Sequence, residues 1–466
     1  MESNEYKELK KKLLSGRKNG YDRVGGDYQA RMEAYCAGYM AYLDAGKTER
    51  ECVDRTIALA EAAGFRAYRR GMELKPGDKV YRANRGKAVM LAVLGRRGLD
   101  QGVNIAAAHI DSPRLDLKQN PLYEADELAF LKTHYYGGLR KYQWVTIPLE
   151  LHGVVVLKSG QVVRVSVGNG EGDPLFTVDD LLPHLGAEQS RKPLGEAIPA
   201  ENLNILVGSR PLADDEGSDR VKLSILELLN RKYGIVEEDF ISAELSAVPA
   251  FRASDVGFDR SLIGAYGHDD RVCAYASLAA ILQLNDPERT AVCMLADKEE
   301  IGSEGVTGMK SAAFDTFMED LCQSQNVPLR ACYERSFCLS ADVTAAYDPN
   351  FAEVYEKRNS ALVNCGMGLC KYTGARGKSG ASDASAELVA YVRGVLDRAD
   401  VVWQMAELGK VDAGGGGTVA MFMAERNIDT LDAGVPVLSM HSPFETVGKL
   451  DCYMTFKGVK AIYEAK

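Results

Sequence analysis

Residues 104–113 read NIAAAHIDSP, an apolar run, Asn104–Ile110, that closes on His109 and Asp111. Three further runs end the same way. AVCMLADKEEIGSEG (291–305) closes on Glu299 and Glu300, FCLSADV (337–343) on Asp342, and VPVLSMHSP (435–443) on His441. GHDDR (267–271) sets Asp269 and Asp270 immediately before an apolar helical stretch. In an open α/β sheet the reactive groups gather at the carboxyl ends of the strands. Short continuous apolar runs are what strands buried on both faces require.

Working outward, the chain alternates strand and helix after residue 262. The expected elements are helix 271–284, strand 290–296, strand 336–341, strand 361–365, helix 384–397, strand 401–405, helix 418–425 and strand 435–440. That alternation predicts an α/β fold, a three-layer sandwich around a mostly parallel central sheet. Residues 28–73 read as helical: Tyr35, Tyr39 and Tyr42 share one face, and VDRTIALAEAAG stops at Gly64. Between about 121 and 260 the texture changes. HGVVVLKSGQVVRVSVG (152–168) holds two β-branched runs around Ser159-Gly160, a hairpin signal. The expected organisation is a catalytic domain of residues 1–120 and 261–466, interrupted by a β-rich inserted domain of residues 121–260.

Composition narrows the function. Hydrophobic residues are 46% and charged residues 26% of 466, the balance of a globular chain. The net charge of −10 disfavours a nucleic-acid or anionic-membrane partner. Ten cysteines without a C-x-x-C pair fit buried thiols in a reducing compartment. The N-terminal residues show no signal-peptide pattern, and the apolar runs are too short to span a bilayer. A cytoplasmic protein is the expectation.

Two histidines and at least three carboxylates at strand ends of one sheet form a nitrogen and oxygen donor set of the kind zinc or manganese takes. No cysteine belongs to it, which fits a catalytic metal better than a structural one. One imidazole per metal with shared carboxylates predicts two divalent ions bridged by one carboxylate. Residues i and i+2 of a strand point the same way, so Asp111 can take the second ring N–H of His109. Adjacent Glu299 and Glu300 point differently, so one can bind metal while its neighbour acts as general base.

HIDSP, GHDDR, DKEEIGS, SADVTAAYDPN, KYTGARGKSGASDASAE and LSMHSPFE resemble the aspartyl aminopeptidase and vacuolar aminopeptidase I family of dinuclear zinc exopeptidases, in its bacterial branch. The resemblance runs from about residue 28 to the C-terminus. It implies His109, Asp269, Glu300, Asp342 and His441 as metal ligands, Asp269 bridging, with Glu299 as general base and Asp111 orienting His109. It implies two ions per chain, zinc first, with manganese or cobalt as alternatives. It also implies peptide substrates with a free N-terminus, a β-rich insertion used in subunit contact or as a lid, and a tetrahedral dodecamer. His184 stands where the family places a loop that reaches a neighbour's active site, although that loop's second histidine is missing here. Ala345, Asp348 and Phe444 replace histidines and an arginine of eukaryotic relatives, so an acidic N-terminal residue is not expected to be strongly preferred. Lys378 is the remaining candidate for a positive substrate contact.

Two glycine-rich stretches invite other readings. KYTGARGKSG contains Gly-Lys-Ser, but Tyr372 occupies the position where a phosphate loop needs its first glycine. DAGGGGTVAMF lacks the dinucleotide fingerprint and suits close backbone packing before a helix. The function expected is hydrolysis of the N-terminal peptide bond through a metal-activated bridging water. A dinuclear deacylase of N-acyl substrates and a non-catalytic assembly protein of the same fold are the alternatives.

Overall fold

The computed structural model describes residues 3–213 and 217–466. The strand that His109 closes, Asn104–His109, lies in the middle of a nine-stranded sheet. It is flanked in parallel by Ala291–Ala296 and Phe337–Ser340, and Asp429–Gly434 continues the parallel set beyond Phe337–Ser340. Ala88–Val93 and Lys79–Asn84 extend one side antiparallel. On the other side Met367–Cys370 pairs antiparallel with Asp429–Gly434, and Trp403–Met405 forms the edge. The fold is α/β with a mixed sheet.

The alternation of side chains explains why these runs are apolar throughout. Ala106 and Ala108 join one core cluster with the helices Gly26–Ala45, His268–Leu282, Ala386–Arg398 and Lys449–Tyr463. Ile105 and Ala107 join the opposite cluster with Ala313–Gln323 and Ala420–Glu425. Both faces are covered, so from Ile105 to Ala108 no position is left for a polar residue, and the buried Asn104 at the start donates to the Ala465 carbonyl oxygen. Tyr39 and Tyr42 share the buried face of Gly26–Ala45, and Tyr35 packs there partly buried.

A second, seven-stranded sheet is antiparallel throughout. It holds the hairpin Leu149–Val156 and Val162–Val167, and has its own core around Trp144. Its strand Arg114–Ala125 begins five residues after His109 and spans the boundary drawn at residue 121. Ser254–Val256 and Leu262–Ala265 belong to a third sheet, of five strands, with Pro436–Leu438 and Glu445–Gly448. The second sheet's last strand therefore ends at Pro249, before the expected 260.

Some expected elements differ. Residues 361–365 carry an isolated bridge and a turn, and the strand is Met367–Cys370. The run at 435–440 is not the central-sheet strand. Asp429–Gly434 takes that place although it starts with two polar residues, because Asp432 and Thr430 turn into buried hydrogen bonds. Helix Ala386–Arg398 is capped by Ser385, whose hydroxyl accepts the Leu388 amide. The helical reading to residue 73 ends at Ala62, followed by a short edge strand, Arg66–Ala67.

Candidate metal centre

His109, Asp269, Glu299, Glu300, Asp342 and His441 line one cavity of about 410 Å³. They come from five separate segments of chain that the sheet ends bring together. The two oxygens of Asp269 face different histidines: Oδ1 lies 3.2 Å from His109 Nε2, and Oδ2 lies 3.0 Å from His441 Nε2. Glu300 Oε2 stands 3.4 Å from His441 Nε2, and Asp342 Oδ1 stands 4.0 Å from His109 Nε2.

The other ring nitrogens fix the tautomers. His109 Nδ1 donates to the Asp111 carbonyl oxygen at 3.1 Å, and His441 Nδ1 donates to the Gly138 carbonyl oxygen at 2.8 Å. Both Nε2 atoms are thereby turned toward the carboxylates, where loss of a proton makes them metal donors. Gly138 belongs to the segment that follows strand Leu128–Tyr136 of the second sheet, so that sheet contributes to the centre.

Asp111 does more than its spacing to His109 suggests. Its Oδ1 is 3.4 Å from the ring, farther than its own carbonyl. The carboxylate instead accepts from the amides of Glu299 (3.1 Å) and Glu300 (3.2 Å) and from the Tyr136 hydroxyl (2.8 Å). It holds the loop that presents both glutamates, and Lys298, in the left-handed region at φ 66°, starts that loop's turn.

Glu445 performs a related task. Its two oxygens accept from the His441 amide at 2.6 Å and the Asp269 amide at 3.1 Å, tying two candidate ligands by their backbones. Asp270 is also buried here, with Oδ2 accepting the His109 amide. His109, Asp270 and Asp342 form one group able to converge on an ion, and His109, Asp269 and Glu300 form another. The sequence shows Asp270 within GHDDR but does not separate it from Asp269. Glu445 and Gly138 carry no signal in sequence, because one acts on backbone amides and the other through its carbonyl.

The electrostatics fit divalent cations. Burial pushes the Glu300 and Asp342 carboxyls well above their ordinary range, with repulsion from Asp269 and from Asp270 added respectively. Glu299, raised by burial and by Asp111, stands at about 7. Burial opposes the charged form of His441, but Asp269 and Glu300 outweigh it and lift the ring to about 10. Glu300 Oε1 and Asp270 Oδ1 are buried without a hydrogen-bond partner among the described residues. Buried carboxylate oxygens that face neither water nor a donor are costly unless a cation takes them.

Two expected substrate contacts lie elsewhere in the chain. Lys378 stacks over the Tyr372 ring at 3.9 Å and pairs with Asp383 at 3.3 Å on an exposed loop. His184 is exposed on the second sheet's side, between exposed Leu182 and Leu185. Neither lines the cavity, whose wall is formed by Thr344, Thr373, Leu408, Met440 and the backbone of Gly415–Gly417.

The family described as aminopeptidase I zinc metalloprotease (M18) matches residues 42–463. The chain is 49% identical over 459 residues to a probable M18 family aminopeptidase 1 of Clostridium acetobutylicum, covering 96% of this chain and 98% of that one. Its fold is similar to the crystal structure of an M18 aminopeptidase from Thermotoga maritima, with a TM-score of 0.93 and 42% identity over 97% of this chain and 100% of that one. The crystal structure of aminopeptidase I from Clostridium acetobutylicum gives a TM-score of 0.91 at 44% identity, over 97% and 100% of the two chains.

Proposed function

We infer that this chain, which belongs to the aminopeptidase I family (M18) of zinc metalloproteases and is a metal-dependent aminopeptidase, holds two divalent ions between His109, Asp269, Glu300, Asp342 and His441. One observation carries the count: the two oxygens of Asp269 face two different imidazoles, at 3.2 and 3.0 Å. Zinc is the ion the family name gives, and manganese or cobalt would suit the same donors. When bound, such ions polarise the scissile carbonyl and make water a nucleophile near neutral pH.

The protein's own groups supply the rest. Glu299 reaches into the cavity beside the ligands, at 4.0 Å from His109 Nε2. It takes the proton of the attacking water and returns it to the leaving amine, a task suited to a carboxyl held near 7. Asp111 keeps Glu299 in place through the two loop amides. The surplus of buried carboxylates favours a substrate that brings a free ammonium, which a deacylase substrate lacks. No lysine or arginine lines the cavity among the described residues, while Leu408 and Met440 do. The substrate read from that wall has a neutral N-terminal residue such as Leu or Met, and an acidic one is disfavoured.

The fold reads as the three-layer zinc-exopeptidase sandwich, interrupted by the antiparallel sheet as a contact or lid domain. Leu181, Leu182 and Leu185 of that unit are at least half exposed, which supports burial against a second copy. Self-association, as a tetrahedral dodecamer, follows from this reading, with His184 near a neighbouring subunit. Among the described residues no helix is long and apolar enough to cross a membrane. All ten cysteines are free and buried, which suits the cytoplasm.

The test is elemental analysis with a panel of aminoacyl and N-acylated anilides, with and without chelator. About two ions per chain are expected, lost together in Asp269→Ala, with turnover of free-amine Leu and Met substrates only. A fully active Asp269→Ala protein with its metal retained would remove the bridging role. An Asp or Glu preference above about tenfold, roughly 1.4 kcal/mol, would refute the neutral pocket.

A further inference from the structure

A second cavity, of about 870 Å³, opens along the edge strand Trp403–Met405, between it and the chain segment around Arg17. Five cationic side chains line it, Arg17, Lys18, Arg23, Arg358 and Arg393, against the single carboxylate Asp397. This is unexpected on a chain of net charge −10. Clustered cations repel, so a groove in which five of them meet a single lining carboxylate is suited to an anion.

The partners of these groups are accounted for. Arg17 spends its guanidinium on the carbonyl oxygens of Ser360 and Arg358, and Arg23 pairs with Asp400 at 3.4 Å. Asp397 accepts the Trp403 indole N–H at 2.8 Å, which leaves that oxygen committed. Lys18 and Arg393 form no ion pair within 4 Å among the described residues, and Arg358 stands beside Glu356, whose carboxylate accepts its backbone amide and is stabilised by its charge. Arg393 lies 5.7 Å from the centroid of the Trp403 ring, so charge and a flat aromatic surface occur side by side.

We propose that this groove binds a nucleotide-like polyanion, a flat ring carrying two or three phosphates. Guanidinium groups match phosphate oxygens two at a time, and an indole face takes a planar ring. The volume is that of a small-molecule site. A peptide strand would find backbone groups along the open edge of Trp403–Met405 but no neutral side chain from Gln404, whose hydrogen bonds are used within the chain. The Gln404 side chain donates to the carbonyl oxygens of Leu362 and Gly366 and accepts the Leu362 amide. Among the lining cations, Lys18 and Arg393 are left without an ion pair.

The chain reports on its own groove. It has two tryptophans, and Trp144 is fully buried in the second sheet's core, whereas Trp403 is partly exposed in the groove. The metal-loaded, full-length protein is titrated with ATP in equimolar magnesium, following tryptophan emission and heat. Saturable quenching below about 1 mM is expected, weakened by added salt. The double variant Arg358→Ala/Arg393→Ala, remote from the metal centre, should bind roughly tenfold or more weakly while keeping peptidase turnover. Trp403→Phe should lose the optical signal and keep heat of binding. Three results would overturn the proposal: no saturable quenching, ATP binding unchanged in the double arginine variant, or an oligo-aspartate peptide binding more tightly than ATP.

Discussion

At the scale of single residues, the division of tasks proposed for Glu299 and Glu300 rests on the tight turn that carries them both. Glu299→Gln removes the proton acceptor and leaves the donor set, so kcat should fall by about 10²- to 10⁴-fold with metal retained. Glu300→Gln should lower metal content instead. Parallel turnover and metal assays separate them, and the reverse pattern would exchange their roles. Glu445 is the residue that composition and spacing leave invisible. Its carboxylate accepts the amides of both Asp269 and His441. Glu445→Ala leaves those two buried amides without their acceptor, and partners of this kind typically hold about 10- to 100-fold of metal affinity. Competition with a chelator of known affinity reads it directly, and metal retention equal to the parent would show that the ligands hold their geometry unaided.

At the scale of elements, helix Glu49–Ala62 is fastened to the second sheet by a buried histidine. His152, on strand Leu149–Val156, lies 2.7 Å from Glu51 Oε1 and 2.8 Å from Glu150 Oε2. Glu51 also closes the capping box with Thr48, and Lys47 donates to the carbonyl oxygens of Pro249 and Phe251. Burial opposes the imidazolium, but Glu150 and Glu51 outweigh it and raise His152 to about 9. A folded pKa above the unfolded value of about 6.5 means the native state binds the extra proton. The contribution is complete below about pH 6.5 and is lost as pH rises through about 9. The apparent Tm advantage of the parent over His152→Gln should therefore be large at pH 6 and should shrink by pH 9.5. An advantage that grows with pH would reverse the assignment of charge to His152.

At the scale of the whole molecule, the second sheet is both a neighbour of the centre and a surface. The segment after its strand Leu128–Tyr136 delivers the Gly138 carbonyl to His441, and the segment after its edge strand Thr177–Val178 exposes Leu181, Leu182 and Leu185. Leu181→Glu/Leu185→Glu should reduce the sedimentation coefficient to that of a smaller assembly, since desolvating two carboxylates in an apolar contact costs several kcal/mol. An unchanged boundary in analytical ultracentrifugation would place the subunit contact elsewhere.

Legible in the sequence are the strands Asn104–His109, Ala291–Ala296 and Phe337–Ser340 and the side chains of His109, Glu299, Glu300 and Asp342 that close or follow them, whereas His441 follows Pro436–Leu438 of the third sheet. Runs such as AVCMLA and the IAAA of NIAAAH, buried on both faces, admit no polar residue until the strand stops, so the polar side chains at their C-terminal ends mark the site. The tertiary structure alone decided which groups converge and what fixes them. Asp429–Gly434 carries the buried Asp432, whose partner Thr418 lies 14 residues away, and the buried Thr430, which bonds the nearby Ile428 carbonyl oxygen, so its strand is hidden from any pattern of hydrophobicity. The insertion's edge is hidden for a different reason: Arg114–Ala125 runs on from the strand of His109 with a gap of only four residues, and no composition change marks the passage between sheets. Carbonyls and amides supply the remaining contacts, at Asp111, Gly138 and Glu445, and a backbone atom leaves no trace in the identity of the residue that bears it.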